Sequence, residues 1–161
     1  MNTFLKILII GIIFALGFFS SNIYADLNIE NPDQFGLVDV KESPNDWIKE
    51  SQILVYNSQV ILDLKNAEWA TFTDTHSMEP VLSSRANAIE IRPKSVDDIK
   101  VGDIISYKSE YADGTIIHRI IEKNEDEQGA YFILKGDNNP SPDPGKIRFE
   151  QIQRVVVAIV Y

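Results

Sequence analysis

Thr115-Ile116-Ile117-His118-Arg119-Ile120-Ile121 is the stretch on which the reading of this chain turns. β-Branched residues favour extended backbone, and alternation along a strand puts Ile116, His118 and Ile120 on one face. The result is a strand carrying an imidazole on an otherwise apolar face. Moving outward, short β-branched and aromatic runs of the same kind recur between turn signals. Ile53-Leu54-Val55-Tyr56 and Val60-Ile61-Leu62-Asp63-Leu64 flank Asn57-Ser58-Gln59 as a hairpin. Further strands are expected over residues 69–73, 88–92, 103–108, 130–135 and 153–161. The Val155-Val156-Val157-Ala158-Ile159-Val160 run is too short to span a bilayer and reads as a buried strand. Hardly any window beyond the N-terminus sustains a helical 3.6-residue apolar period. Residues 53–161 are therefore expected to form a mainly β domain.

The N-terminus is different in kind. Residues 4–24 are almost wholly apolar, and Ile7-Leu8-Ile9-Ile10-Gly11-Ile12-Ile13-Phe14-Ala15-Leu16-Gly17-Phe18-Phe19 carries no charge. With its flanks it reaches the length of about 17–20 residues needed to cross the hydrocarbon core. Lys6 precedes it and Asp26, Glu30 and Asp33 follow. The positive-inside bias then leaves the N-terminus cytoplasmic and the folded part on the extracytoplasmic face. Two readings compete, a retained anchor and a signal peptide cleaved after Ala25. The cleavage site is small only at its last position and the run is long, so residues 1–25 are read as a single-pass transmembrane anchor. Residues 26–52, acidic and punctuated by Pro32, Gly36 and Pro44, read as a spacer with one short helix over residues 45–50.

Composition narrows the chemistry. The chain has 161 residues, 44% of them hydrophobic, enough for one real core. A formal charge of -9 with no basic stripe argues against nucleic acid, which needs clustered Lys and Arg. The absence of cysteine excludes disulfides, thiol catalysis and thiolate metal sites. With His76 and His118 the only histidines and no HExxH pattern, neither a metal nor an organic cofactor is expected.

Ser77-Met78-Glu79-Pro80 follows the strand at residues 69–73, and Pro80 prevents a ladder from continuing. A serine there projects from a turn at a sheet edge, but it is a poor nucleophile until a base takes its proton. His118 is the candidate base, since an unperturbed imidazole (pKa about 6.5) accepts a proton near neutral pH. A histidine on an apolar strand face is more often a satisfied core residue, so the context matters. That context is Gly136-Asp137-Asn138-Asn139-Pro140-Ser141-Pro142-Asp143, an irregular turn-rich loop. Either Asp137 or Asp143 can hold an imidazole in one tautomer and stabilise its protonated form. Alone, such a loop is usually a solvated turn. His76 is a rival base, but neighbours on an extended chain point to opposite faces, which places it below His118.

Taken in order, Ser77-Met78-Glu79-Pro80, Val101-Gly102-Asp103-Ile104-Ile105 with Tyr107, Ile117-His118-Arg119 and Lys135-Gly136-Asp137-Asn138-Asn139 resemble type I signal peptidases. Histidine stands where the bacterial enzymes have lysine, so the resemblance is to the archaeal and endoplasmic-reticulum branch. It covers about residues 69–161. The resemblance implies a signal-peptidase-like β domain with one transmembrane helix, Ser77 as nucleophile and His118 as general base. It further implies Asp143 as the orienting carboxylate and Asp137 as a supporting one. The oxyanion hole would be the Ser77 backbone N–H helped by the Thr75 hydroxyl. Two departures stand out: the family usually has glycine where this chain has His76, and the 26–52 spacer has no counterpart.

The expected function is a membrane-anchored serine endopeptidase that cleaves signal peptides from membrane-inserted preproteins, with the bilayer and those peptides as partners. A self-cleaving repressor-type peptidase is disfavoured by His118, the apolar N-terminus and the lack of a DNA-binding module. The competing class is a catalytically inactive, signal-peptidase-like exported binding module. The discriminating observation is whether the Ser77 hydroxyl and the His118 imidazole lie within hydrogen-bond reach.

Overall fold

A computed structural model describes residues 41–161. The expected anchor of residues 1–25 and the spacer as far as residue 40 lie outside the described residues. Among the described residues no helix is long and apolar enough to cross a membrane.

The strands follow the alternating pattern. In chain order they are β1 (Ile53–Val55), β2 (Val60–Leu62), β3 (Glu68–Thr71), β4 (Asn87–Ile91), β5 (Ile104–Tyr107), β6 (Ile116–Asp126), β7 (Gly129–Lys135) and β8 (Ile152–Val160). The mainly β expectation holds, with boundaries differing by a few residues. β1 and β2 form the expected hairpin, closed by the Tyr56 N–H donating to the Gln59 carbonyl at 2.9 Å. The other six make one sheet in the order β3-β4-β8-β5-β6-β7, and every paired neighbour is antiparallel. β8 enters the middle of this sheet, between β4 and β5.

Period-2 alternation is visible in how the core divides. Ile104 and Ile105 are consecutive, yet Ile104 packs with Met78, Leu82 and Ala88, while Ile105 packs with Tyr107, Phe132 and Leu134. Val155 and Val156 part in the same way. The central strands are thus covered on both faces, as their continuous apolar runs imply. β8 is buried at Ile152, Val155 and Val156 but emerges by Val160, so only part of its apolar run is interior.

The last part of the spacer belongs to the domain. Instead of a helix over residues 45–50 there is irregular chain and then a 3-10 turn, Glu50–Gln52. The reason lies in fully buried Asp103. Its Oδ1 accepts from the Asn45 N–H at 2.7 Å and the Trp47 indole N–H at 2.9 Å. Trp47 also packs on the larger core cluster. These tertiary bonds outweigh the weak tendency of so short a segment to be helical.

Candidate active site

β3 stops at Thr71, and the chain runs irregularly to a turn that begins at Ser77. The Leu82 N–H donates to the Met78 carbonyl at 2.9 Å, closing that turn, and Met78 and Leu82 are buried beneath it. Met78 thereby fixes the nucleophile candidate from below. β6 pairs with β7 only from Arg119 onward, so His118 lies beyond the end of that ladder, next to the loop after β7.

That loop closes on Ser77. The Asn138 N–H donates to the Ser77 carbonyl at 2.9 Å, and the Asn138 side-chain amide donates to the His76 carbonyl at 3.0 Å. Gly136 permits the approach: a Cβ there would sit 2.6 Å from the Ser77 carbonyl oxygen. The Asp143 N–H donates to the Leu134 carbonyl at 2.7 Å, returning the end of the loop to the sheet.

With these anchors, three of the expected residues converge. His118 Nε2 lies 3.1 Å from Ser77 Oγ, and His118 Nδ1 lies 2.6 Å from Asp143 Oδ2. Ser77 and His118 are therefore within hydrogen-bond reach. Thr75 joins them, its Oγ1 3.1 Å from Ser77 Oγ. His118 and Asp143 are largely enclosed, with side chains 10% and 13% exposed. Asp137 lies elsewhere. Its two carboxylate oxygens receive Arg119 Nε and Nη2, each at 2.8 Å, while Arg119 Nη1 donates to the Gly102 carbonyl at 2.7 Å.

Tyr107 completes the arrangement, and the sequence reading gave it no role. Its hydroxyl donates to Asp143 Oδ2 at 2.7 Å, the oxygen that also meets His118. Burial first, then the Asp143 hydrogen bond, pushes the Tyr107 phenol well above its ordinary pKa, so it stays a donor. The available signal was its position two residues after Ile105, on the face where Ile116 also packs.

His76 explains why a glycine suits its position. It has φ 58°, in the left-handed region that side-chain-bearing residues adopt at a cost. Its exposed ring is engaged at Nδ1 by Glu79 Oε1 at 2.9 Å, with Asp74 at 3.8 Å. The hydrogen bond to Glu79 and the nearby carboxylates raise its pKa above the usual histidine value. Asp74, His76 and Glu79 bring one possible ligand atom each within 4.8 Å of one another, and no other such grouping occurs among the described residues. Their proximity is accounted for by these ion pairs.

Beside Ser77 opens a cavity of about 200 Å³, walled by Thr71, Phe72, Met78, Leu82, Glu90 and Ile117 among others. A hydroxyl nucleophile with an imidazole on one side and a side-chain-sized cavity on the other is equipped for acyl transfer on an extended peptide.

Fold and site thus define a β protein with a serine–histidine–aspartate constellation where the segment after β3 and the loop after β7 meet β6. Comparison with known proteins points the same way. Over 70 residues the chain is 37% identical to the signal peptidase complex catalytic subunit SEC11C of Homo sapiens, a match covering 43% of this chain and 36% of that subunit. The SEC11C subunit of Mus musculus matches to the same extent. An uncharacterized protein of Methanocaldococcus jannaschii is 54% identical over 43 residues, 26% of this chain and 21% of that protein. The chain therefore spans about a third or less of the length of these relatives. No family model matches it, and no solved structure does. The likeness to SEC11C supports a signal-peptidase relationship and, at the coarsest level, a peptidase.

Proposed function

We propose that this chain is a membrane-anchored serine endopeptidase that removes signal peptides from preproteins on the extracytoplasmic face. The observation that carries the reading is the unbroken relay from Asp143 through His118 to Ser77, with contacts of 2.6 and 3.1 Å. Ser77 Oγ attacks the scissile carbonyl carbon as its proton passes to His118 Nε2. Asp143 holds the other ring nitrogen and stabilises the imidazolium. The tetrahedral oxyanion is met by the Ser77 N–H and the Thr75 hydroxyl. Collapse breaks the peptide bond as His118 returns the proton to the departing amine. Water, with His118 again as base, then hydrolyses the ester and regenerates Ser77.

In this reading Asp137 is a positioning residue. Its fork to Arg119 fixes the start of the loop whose far end presents Asp143. The apolar N-terminal segment holds enzyme and membrane-inserted substrate in one bilayer, which raises their effective concentration.

The test is cleavage of a membrane-inserted preprotein by the full chain. Ser77→Ala and His118→Ala are each expected to reduce the rate about 10⁴-fold or more while the melting temperature stays near wild type. Undiminished cleavage by either variant would overturn the Ser77–His118 assignment, and absence of cleavage by wild type would favour an exported binding module.

A further inference from the structure

Glu90 is the one carboxylate among the residues that line the cavity beside Ser77. Phe72, Met78, Leu82 and Ile117 supply the cavity's apolar surface, serine and threonine residues including Ser106 of β5 line much of the remainder, and Glu90 belongs to β4. Glu90 alternates in phase with fully buried Ala88, so its side chain enters the core face of the strand, where it is only 6% exposed. Its Oε1 has no hydrogen-bond partner, the one such buried side-chain oxygen or nitrogen found among the described residues. Native structures seldom leave a buried acceptor unmet, and a missing ligand is one explanation.

The charged groups around this carboxyl are few. Glu68 faces it across the β3–β4 ladder, and Arg154 of β8, ion-paired with Glu68, lies near. Burial raises the Glu90 pKa above the ordinary carboxyl value, the Ser106 hydrogen bond and Arg154 pull it partly back, and Glu68 adds to the rise. Arg154 already supplies positive charge here, and no second carboxylate lines the cavity to compensate a further cation. A neutral donor on a short stem fits the space and the unmet acceptor together.

We propose that Glu90 is the specificity determinant of this cavity and accepts a hydrogen bond from a hydroxyl-bearing substrate side chain, serine or threonine, seated beside the scissile bond. The inference rests on the peptidase reading. An extended substrate sends alternate side chains to one side, so the residue in the cavity is the first or the third before the cut.

The experiment uses the full-length protein in lipid vesicles with preproteins that differ at one position only. Threonine and its isostere valine are compared at the first and, separately, the third residue before the cut, with an alanine substrate alongside. Wild type is expected to favour threonine about tenfold or more in kcat/KM at one of these positions, because valine leaves the buried acceptor unmet. Glu90→Leu is expected to bring that ratio to one or below, and Glu90→Gln, which keeps an acceptor and the size, to retain part of it. Equal or better cleavage with valine at both positions, or a threonine preference that survives Glu90→Leu, overturns this inference alone. Wild-type failure on every substrate, alanine included, overturns the peptidase reading and this inference with it.

Discussion

His118 and Arg119 are neighbours on β6, yet they make two different kinds of contact with the same loop. Alternation sends the two side chains to opposite sides, and each meets one aspartate of the segment after β7. The Arg119–Asp137 pair is closed and dry: side chains 8% and 1% exposed, a bidentate fork, and a further bond to the Gly102 carbonyl. A guanidinium does not release its proton in this range, so the pair can only hold position. The His118–Asp143 pair is open-ended. It continues to Ser77 on one side and to Tyr107 on the other, and its imidazole can gain and lose a proton. In the proposed mechanism one carboxylate fastens the loop and the other acts through His118.

That contrast is open to attack from both sides. The largest effect is expected from Asp143→Asn, which should lower the cleavage rate about 10⁴-fold by favouring the wrong imidazole tautomer, with only a small change in melting temperature. Asp137→Asn should do the reverse. Leaving the buried Arg119 half-paired is expected to cost about 3 kcal/mol in stability, roughly 10 °C in thermal melting, while the folded fraction keeps most of its activity. If Asp137→Asn abolished cleavage at unchanged stability, the division of labour would be wrong.

Gly136→Ala sharpens the comparison, because it strikes where the loop leans on Ser77. Its new Cβ would press on the Ser77 carbonyl, an overpacking expected to cost about 1–3 kcal/mol and to lower activity along with stability. The smallest effect concerns His76, an exposed ring whose partner Glu79 is partly exposed. His76→Gly relieves a left-handed backbone and is expected to raise stability by about 1 kcal/mol at alkaline pH in urea titrations. The pH trend has a definite sign. A histidine with a raised folded pKa contributes stability below its unfolded value of 6.5 and loses it as pH rises through the folded value. The advantage of His76→Gly should therefore be least in acid and grow toward alkaline pH.

Much of this was legible in the sequence because period-2 alternation is a local signal. The run around His118 showed strand and facing together, and the strands expected over 88–92, 103–108 and 130–135 appear within about two residues. What escaped depends on long-range pairing. The interior place of β8 in the sheet is a topological fact that its composition does not carry. The segment over residues 45–50 read as a short helix because its anchor, Asp103, lies more than fifty residues away. Turn chemistry alone left Asp137 and Asp143 equivalent and the resemblance ranked Asp143 first, whereas the structure separates them by the partners they meet, Arg119 for Asp137 and His118 for Asp143. Glu90 gave no such signal, because alternation in Ala88-Ile89-Glu90-Ile91-Arg92 groups it with Arg92 against Ile89 and Ile91, and its buried place is a tertiary fact.

The position of β8 has a consequence in time. The sheet has two wings, β3-β4 and β5-β6-β7, and β8 is the only strand that hydrogen-bonds to both. The segment bearing Ser77 lies between the strands of the first wing, and His118 is on the second. A chain emerging N-terminus first would thus present both wings before the strand that joins them, and long-range pairing of this kind is slow. Ser77 and His118 would then be locked into one sheet only when β8 is in place, the last of the described strands to form.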